Sequence, residues 1–324
     1  MKEMSDILNG KNVLVTGGAG AIGSNLVSFL ENHRCHVIVI DDLSAGLKSN
    51  FPKSKNVRFY KGSILSDTIL NKVFKGKIDY VFHLAAHFAN QNSIDHPCED
   101  MLTNALGTLK MLQYANGHKV KRFVYASSSC VYGSVNEVMS EDLIAKLETP
   151  YAISKLTGEE YVYFFRRHYD MNNTVVRYFN AYGPGDPPGK YRNVIPNFFM
   201  LALNKRPLVV TGTGEETRDF TYMDDVVKGT VQVLGSDITI GNTYNIGSGK
   251  EVRIIDLANL INKITKNPAG VQFASMRSWD GIKRRLSDIS KSRLHIGYEP
   301  KVAIEDGLEL TWRWFKERYK KINA

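Results

Sequence analysis

Apolar residues in the first half of the chain come in short unbroken runs, and between the runs they recur at helical spacing. Runs of strand length fall at 12–16, 36–40, 57–60, 80–84, 122–127 and 174–178, with Val13-Leu-Val15 and Val37-Ile-Val-Ile40 as the purest cases. Segments 21–32, 68–74, 100–116 and 151–169 carry the i, i+3, i+4 periodicity of amphipathic helices. A strand with one wet face alternates polar and apolar residues, and these strands do not. Both of their faces are therefore covered, which predicts an α/β fold, a doubly wound parallel sheet with helices on either side.

The pattern changes after Asn180. Tyr182-Gly-Pro-Gly-Asp-Pro-Pro-Gly189 is dense in turn formers and marks a boundary loop. Shorter, mixed elements follow: helices at 196–204, from Asp224, at 254–265 and at 303–319, with a strand at 208–211. The reading is a sheet domain over 1–180, to which 217–245 returns, and a smaller mixed α/β C-terminal lobe over 181–324 that closes on it.

Composition adds boundaries rather than detail. The chain has 324 residues, 43% apolar and 23% charged, which suits a globular protein with an ample core. No apolar run approaches the roughly 20 residues of a membrane helix, and the polar start lacks the apolar centre of a signal peptide. Cys35, Cys98 and Cys130 are too few and too scattered for a disulfide framework or a zinc site, so a reduced, cytoplasmic setting is expected. The 42 basic and 33 acidic residues leave +9. No nucleic-acid or membrane motif accompanies that charge. The densest basic stretch, Lys316 to Lys321, reads as a solvated helix face.

The chemistry begins at Gly17-Gly-Ala-Gly20-Ala-Ile-Gly23, between the first strand and the first helix. A turn of this kind lets backbone approach a diphosphate, and the helix start offers it free N–H groups. The first interval between the glycines is one residue longer than in the usual dinucleotide fingerprint. Asp41 ends the next strand, 18 positions after Gly23, where an acid can bind ribose hydroxyls. Asp42 adds negative charge and no arginine follows to receive a 2′-phosphate, so NAD is expected rather than NADP.

Tyr151 and Lys155 are four apart and share a helix face. A phenol titrates near pH 10, and a nearby ammonium together with a cationic nicotinamide would draw it toward neutrality, where it can act as a base. The strand at 122–127 runs into Ser128-Ser129-Cys130, which sets hydroxyls at a carboxyl end of the sheet, where such folds bind ligands.

These segments, with His83-Leu-Ala-Ala86, Arg177-Tyr-Phe-Asn-Ala-Tyr-Gly-Pro184 and Arg218-Asp-Phe-Thr-Tyr-Met-Asp-Asp225, occur in a family order. The chain resembles the extended short-chain dehydrogenase/reductases, specifically the NAD-dependent epimerase/dehydratase group, and is most similar to its UDP-galactose 4-epimerase-like members. The resemblance implies a Rossmann domain that holds NAD along Gly17, Gly20, Ala21, Ile22, Gly23, Asp41, Asp42, Ser63, Ile64, Leu84, Ala85 and Ala86. It makes Ser128, with Ser129 as the alternative, the catalytic hydroxyl and Tyr151 the base. Lys155 would bind the nicotinamide ribose, Asn104 would order the active-site helix beside the cofactor, and Tyr178 would border the nicotinamide. Ser129, Asn180, Asn193 and Val194 would meet the sugar nucleotide, and Arg218 with Arg277 or Arg284 would clamp its diphosphate.

The implied activity is a nucleotide-sugar 4-epimerase working on a UDP- or GDP-linked sugar through a 4-keto intermediate. The alternative is a dehydrogenase, decarboxylase or dehydratase of the same family. Dehydratases there usually carry Thr-Asp-Glu where this chain has Ser128-Ser129-Cys130, and Gly62-Ser63 replaces an acid that commonly meets adenine. His87 is a further acid–base candidate. A homodimer through the helices at 100–116 and 151–169 is implied, with Met111, Leu112, Val162, Phe164 and Phe165 as core or interface.

Overall fold

A computed structural model describes residues 4–276 and 281–319. Its main sheet has six strands in chain order, β1 (Asn12–Thr16), β2 (His36–Asp41), β3 (Val57–Lys61), β4 (Tyr80–His83), β5 (Arg122–Ser128) and β6 (Asn173–Tyr178), with a seventh at Thr243–Ile246. Across the sheet the order is Thr243–Ile246, β6, β5, β4, β1, β2, β3, and every pairing is parallel. Side chains alternate between two separate cores. Val13 and Val15 enter one and Leu14 the other, while Val124 and Ala126 oppose Phe123 and Tyr125. Each fully buried apolar side chain contributes about 1.5–3 kcal/mol, which is why the strands tolerate so little polarity.

The order reverses direction between β1 and β4, so the carboxyl ends of those strands open a crevice. Into it point the turn after β1, the loop after β4 and the end of β5. The helix Pro150–Tyr169 crosses behind them. Thr149 caps it by accepting from Ala152 N at 3.3 Å, Pro150 occupies its first turn, and Asp170 ends it in the left-handed conformation (φ 52°).

The segment expected as one helix over 100–116 is a continuous rod in three parts. Pro97–Met101 and Gly107–Gly117 are α-helical, and Leu102–Leu106 between them forms a π-turn. Such turns insert a residue and re-aim side chains, often at functional sites.

After Asn180 the chain passes back and forth between two cores. Helix Val194–Leu203, strand Leu208–Thr211, helix Ile254–Thr265 and helix Ile304–Tyr319 enclose a third cluster that includes Phe198, Phe199, Leu257 and Phe315. Helix Met223–Gln232 instead sends Val226, Val227 and Val231 into the core shared with β1 and β2, and Thr243–Ile246 completes the sheet beside β6. Of the residues suggested as core or interface, Met111, Leu112, Val162 and Phe165 are core. Phe164 is exposed, as are Met101, Leu102, Leu106 and Ile153 on the same two helical stretches.

Candidate functional site

The turn after β1 is built by close approach. Gly17 has φ +70°, and a Cβ there would lie 2.7 Å from Ala85 N, so the turn presses directly on the loop after β4. A Cβ on Gly23 would overlap the Gly17 carbonyl and reach within 2.8 Å of Gly18 Cα. Gly20 is the N-cap of helix Ala21–Asn32 and supplies no side-chain acceptor, and the first helical turn contains no acid. Its leading N–H groups and the positive helix end are left for an external anion.

Asp41, buried at the end of β2, accepts from Ala19 N at 2.9 Å and from Leu43 N at 2.8 Å. Burial raises its pKa and those two backbone donors oppose the rise. Each carboxylate oxygen keeps a lone pair for a hydroxyl donor. Beneath the turn, His83 is fully buried between Thr16 Oγ1 (2.7 Å from Nδ1) and Thr108 Oγ1 (3.0 Å from Nε2). Thr108 donates to Asn104 O and Thr16 accepts from Ala85 N. The imidazole therefore donates from Nε2 and accepts at Nδ1, as a neutral ring. Burial, then the Lys155 charge, pushes its pKa down to about 3.

A single cleft of about 820 Å³ runs from this turn to the second lobe. Gly17, Gly20, Ala21, Ile22, Gly23, Asp41 and Asp42 line one end, with Ser63 and Ile64 after β3 and Leu84, Ala85 and Ala86 after β4. Ser128, Ser129, Tyr151, Lys155 and Tyr178 line the middle, and Asn180, Asn193, Val194 and Arg218 the far end.

Several sequence expectations change. Arg284 turns away from the cleft: its guanidinium pairs with both oxygens of Glu251 at 2.9 Å and bonds Asn136 O. Its neighbour Arg285 lines the cleft instead, because successive residues of an extended segment point to opposite sides. Arg277, like the end of the basic stretch at 320–321, lies outside the described residues. Asn104 stands behind the wall. From the π-turn its amide bonds Asp100 Oδ2 (2.9 Å), Ser154 Oγ (3.0 Å) and both backbone groups of His87. It ties the loop after β4 to the helix that carries Tyr151, and it is not among the residues that line the cleft.

The Tyr151–Lys155 pair also differs from the simple picture. The Lys155 ammonium lies 4.5 Å over the Tyr125 ring, and burial pulls its pKa down to about 8. Burial drives the Tyr151 phenol far above its ordinary value, the neighbouring Cys130 and Asp100 raise it further, and a hydrogen bond with Ser128 opposes them. Within the chain itself, burial therefore favours the protonated phenol.

Below the serines, Glu159 accepts from Ser127 Oγ (2.5 Å) and takes both arms of Arg177 (2.9 and 2.7 Å), all three buried. Arg177 in turn lies 4.8 Å from the Tyr132 ring, which fixes the turn that follows Ser128. Over the cleft mouth, the boundary loop is fastened on two sides. Lys190 and Tyr191 bond Asp95 at 3.1 and 2.8 Å, and Arg192 reaches Ala45 O at 2.6 Å. Asp186 in that loop is buried against Asn193, and burial raises it to about 6.

The sequence over residues 13–247 matches the NAD-dependent epimerase/dehydratase family model. The chain belongs to that family, and its cofactor is NAD. The epimerase Mth375 of Methanothermobacter thermautotrophicus superposes with a TM-score of 0.96 at 48% identity, over 99% of this chain and 96% of that one. The UDP-glucose 4-epimerase of Thermotoga maritima, solved with UDP-glucose, gives 0.91 at 34% identity over 95% and 99%. A putative UDP-glucose 4-epimerase of Methanocaldococcus jannaschii is 31% identical over 94% of this chain and 98% of its own. Other relatives are named as a dTDP-D-glucose 4,6-dehydratase and as a uronate decarboxylase. Among the described residues no helix is long and apolar enough to cross a membrane.

Proposed function

We propose that the chain is a nucleotide-sugar 4-epimerase that recycles its NAD. The observation that carries this reading is the continuity of the cleft: Ser128, Tyr151 and Lys155 stand between a dinucleotide turn and a far end carrying Arg218. The turn after β1 fits a diphosphate because its glycines leave backbone exposed and its helix end is uncapped. Gly17, Gly20 and Gly23 would hold the diphosphate of NAD, Asp41 its adenosine ribose and Lys155 its nicotinamide ribose. Bound NAD supplies a hydride acceptor and donor at C4 of the sugar.

Tyr151 takes the proton of the sugar 4-hydroxyl at its phenolic oxygen, with Ser128 holding the same hydroxyl. The hydrogen bond with Ser128 favours the phenolate, and the positive charge of oxidised NAD, when bound, would favour it further. The same phenol returns the proton once the 4-keto sugar has turned over in the cleft. Arg218 would keep the diphosphate anchored during that rotation, as a guanidinium fork suits paired oxygens. An acid pair for eliminating water is absent after β5, where Ser129 and Cys130 stand.

The test is product analysis by NMR with the NAD-loaded protein and UDP-linked hexoses. Inversion at C4 supports the reading. A 4-keto-6-deoxy sugar or a pentose would replace it with dehydration or decarboxylation. Tyr151→Phe should lower turnover by about 10²–10⁴ while leaving bound NAD in place; unchanged turnover would remove Tyr151 from the mechanism.

We also propose a cytoplasmic homodimer through the two long helical stretches. The exposed Met101, Leu102, Leu106, Ile153 and Phe164 on their outward faces support it.

A further inference from the structure

One buried cation in the cleft has no part in the scheme above. Arg285 is 5% exposed and faces the cleft. Its Nη1 donates to Cys130 Sγ at 3.6 Å, and its Nε and Nη2 have no partner among the described residues. The other buried arginines are satisfied: Arg177 by Glu159, and Arg122 by Asp237 and Thr239. A guanidinium keeps its charge at any working pH, and leaving its donors buried and unpaired is costly.

The backbone holds Arg285 in place from both sides. Its N–H donates to Thr217 O at 3.2 Å, Met139 N donates to Leu286 O at 2.8 Å, and Ser287 bonds the buried Asp219 through N–H and hydroxyl. That lacing fixes the direction in which the Cα–Cβ bond of Arg285 leaves the backbone. Cys130, the side-chain partner of that guanidinium among the described residues, follows Ser128 by two residues, donates its N–H to Ser128 Oγ at 3.2 Å, and neighbours both Tyr151 and Lys155. The free donors are therefore at the hexose end of the cleft. An acid at position 130 would have closed an ion pair, whereas the thiol leaves the positive charge unmatched.

We infer that Arg285 recognises a carboxylate on the hexose, carried beside the reacting C4, so that the substrate is a nucleotide-linked uronate. This rests on the reading that places C4 at Tyr151. The planar fork can meet both carboxylate oxygens at once, which a neutral hydroxymethyl group cannot reproduce. An oxyanion of the substrate diphosphate would share the same chemistry, and the experiment separates the two.

The NAD-loaded protein is titrated calorimetrically with UDP, UDP-glucose and UDP-glucuronate. The wild type should bind UDP-glucuronate about 10- to 100-fold more tightly than UDP-glucose, as a charge-assisted pair implies. Arg285→Met should erase that preference while holding UDP affinity within about threefold, and Arg285→Lys should keep part of it. Absence of the preference in the wild type, which needs no variant to fold, overturns the inference. So does a loss of affinity for UDP itself in Arg285→Met, which would assign the arginine to the diphosphate. The product from UDP-glucuronate then judges the earlier reading separately: a pentose nucleotide defeats 4-epimerisation while leaving a carboxylate at Arg285.

Discussion

His83 offers a measurement of how dry the floor of the dinucleotide turn is. Its ring is neutral because Thr16 and Thr108 fix one donor and one acceptor and because burial pushes its pKa from 6.5 down to about 3. The unfolded chain protonates this histidine near pH 6.5, whereas the native chain does not until far lower. Its stabilising contribution is complete above that value and is lost as the pH falls toward 3, at about 1.4 kcal/mol per unit. Two units below 6.5, near pH 4.5, the loss is about 3 kcal/mol. Other groups titrate over the same range, so the comparison is with His83→Gln, which cannot gain the proton. At pH 7 the variant should be less stable by about 1–3 kcal/mol, the cost of disturbing two buried hydrogen bonds. By pH 4.5 that deficit should have vanished or reversed. Urea unfolding across the pH series measures both. Parallel stability curves for the two proteins would refute the argument, since His83 would then titrate alike in both states.

Gly23→Ala should release the cofactor while leaving the sheet intact, because the new methyl group overlaps the Gly17 carbonyl. Overpacking of about 1–3 kcal/mol at the turn predicts NAD binding weaker by about 5- to 150-fold, read as NAD content after purification and as a dissociation constant on reloading. Glu159→Ala should cost about 3–5 kcal/mol in urea unfolding by stranding the Arg177 charge, and Glu159→Leu with Arg177→Met should recover most of it. Failure of the double variant to recover would mean the pair also shapes the turn after β5.

The sheet was legible because buried parallel strands have no room for polarity: β1 to β6 lie within about one residue of the apolar runs that predicted them. The strand Thr243–Ile246 was not legible. It contains Asn245, whose amide is buried through Met139 O, Asp288 O and the Tyr132 hydroxyl, partners that only the folded chain supplies. The glycine turn, Asp41, Ser128, Tyr151 and Lys155 converge on one cleft as their motifs suggested. Spacing does not give direction: of the adjacent Arg284 and Arg285, the first turns to Glu251 and the second lines the cleft. Nor could spacing show that Asn104 spends its amide on the loop and helix around it, or that the Lys155 ammonium lies over Tyr125.

The seventh strand enters the sheet only after the chain has visited the second lobe, and the later helix Ser290–Ile296 returns to the first core once more. No half of this enzyme can be excised as a free-standing nucleotide binder. A polypeptide ending at Asn180 would present β6 as a bare, apolar rim, an invitation to self-association. A protease nick in the glycine–proline loop should instead leave two fragments that travel together until denatured.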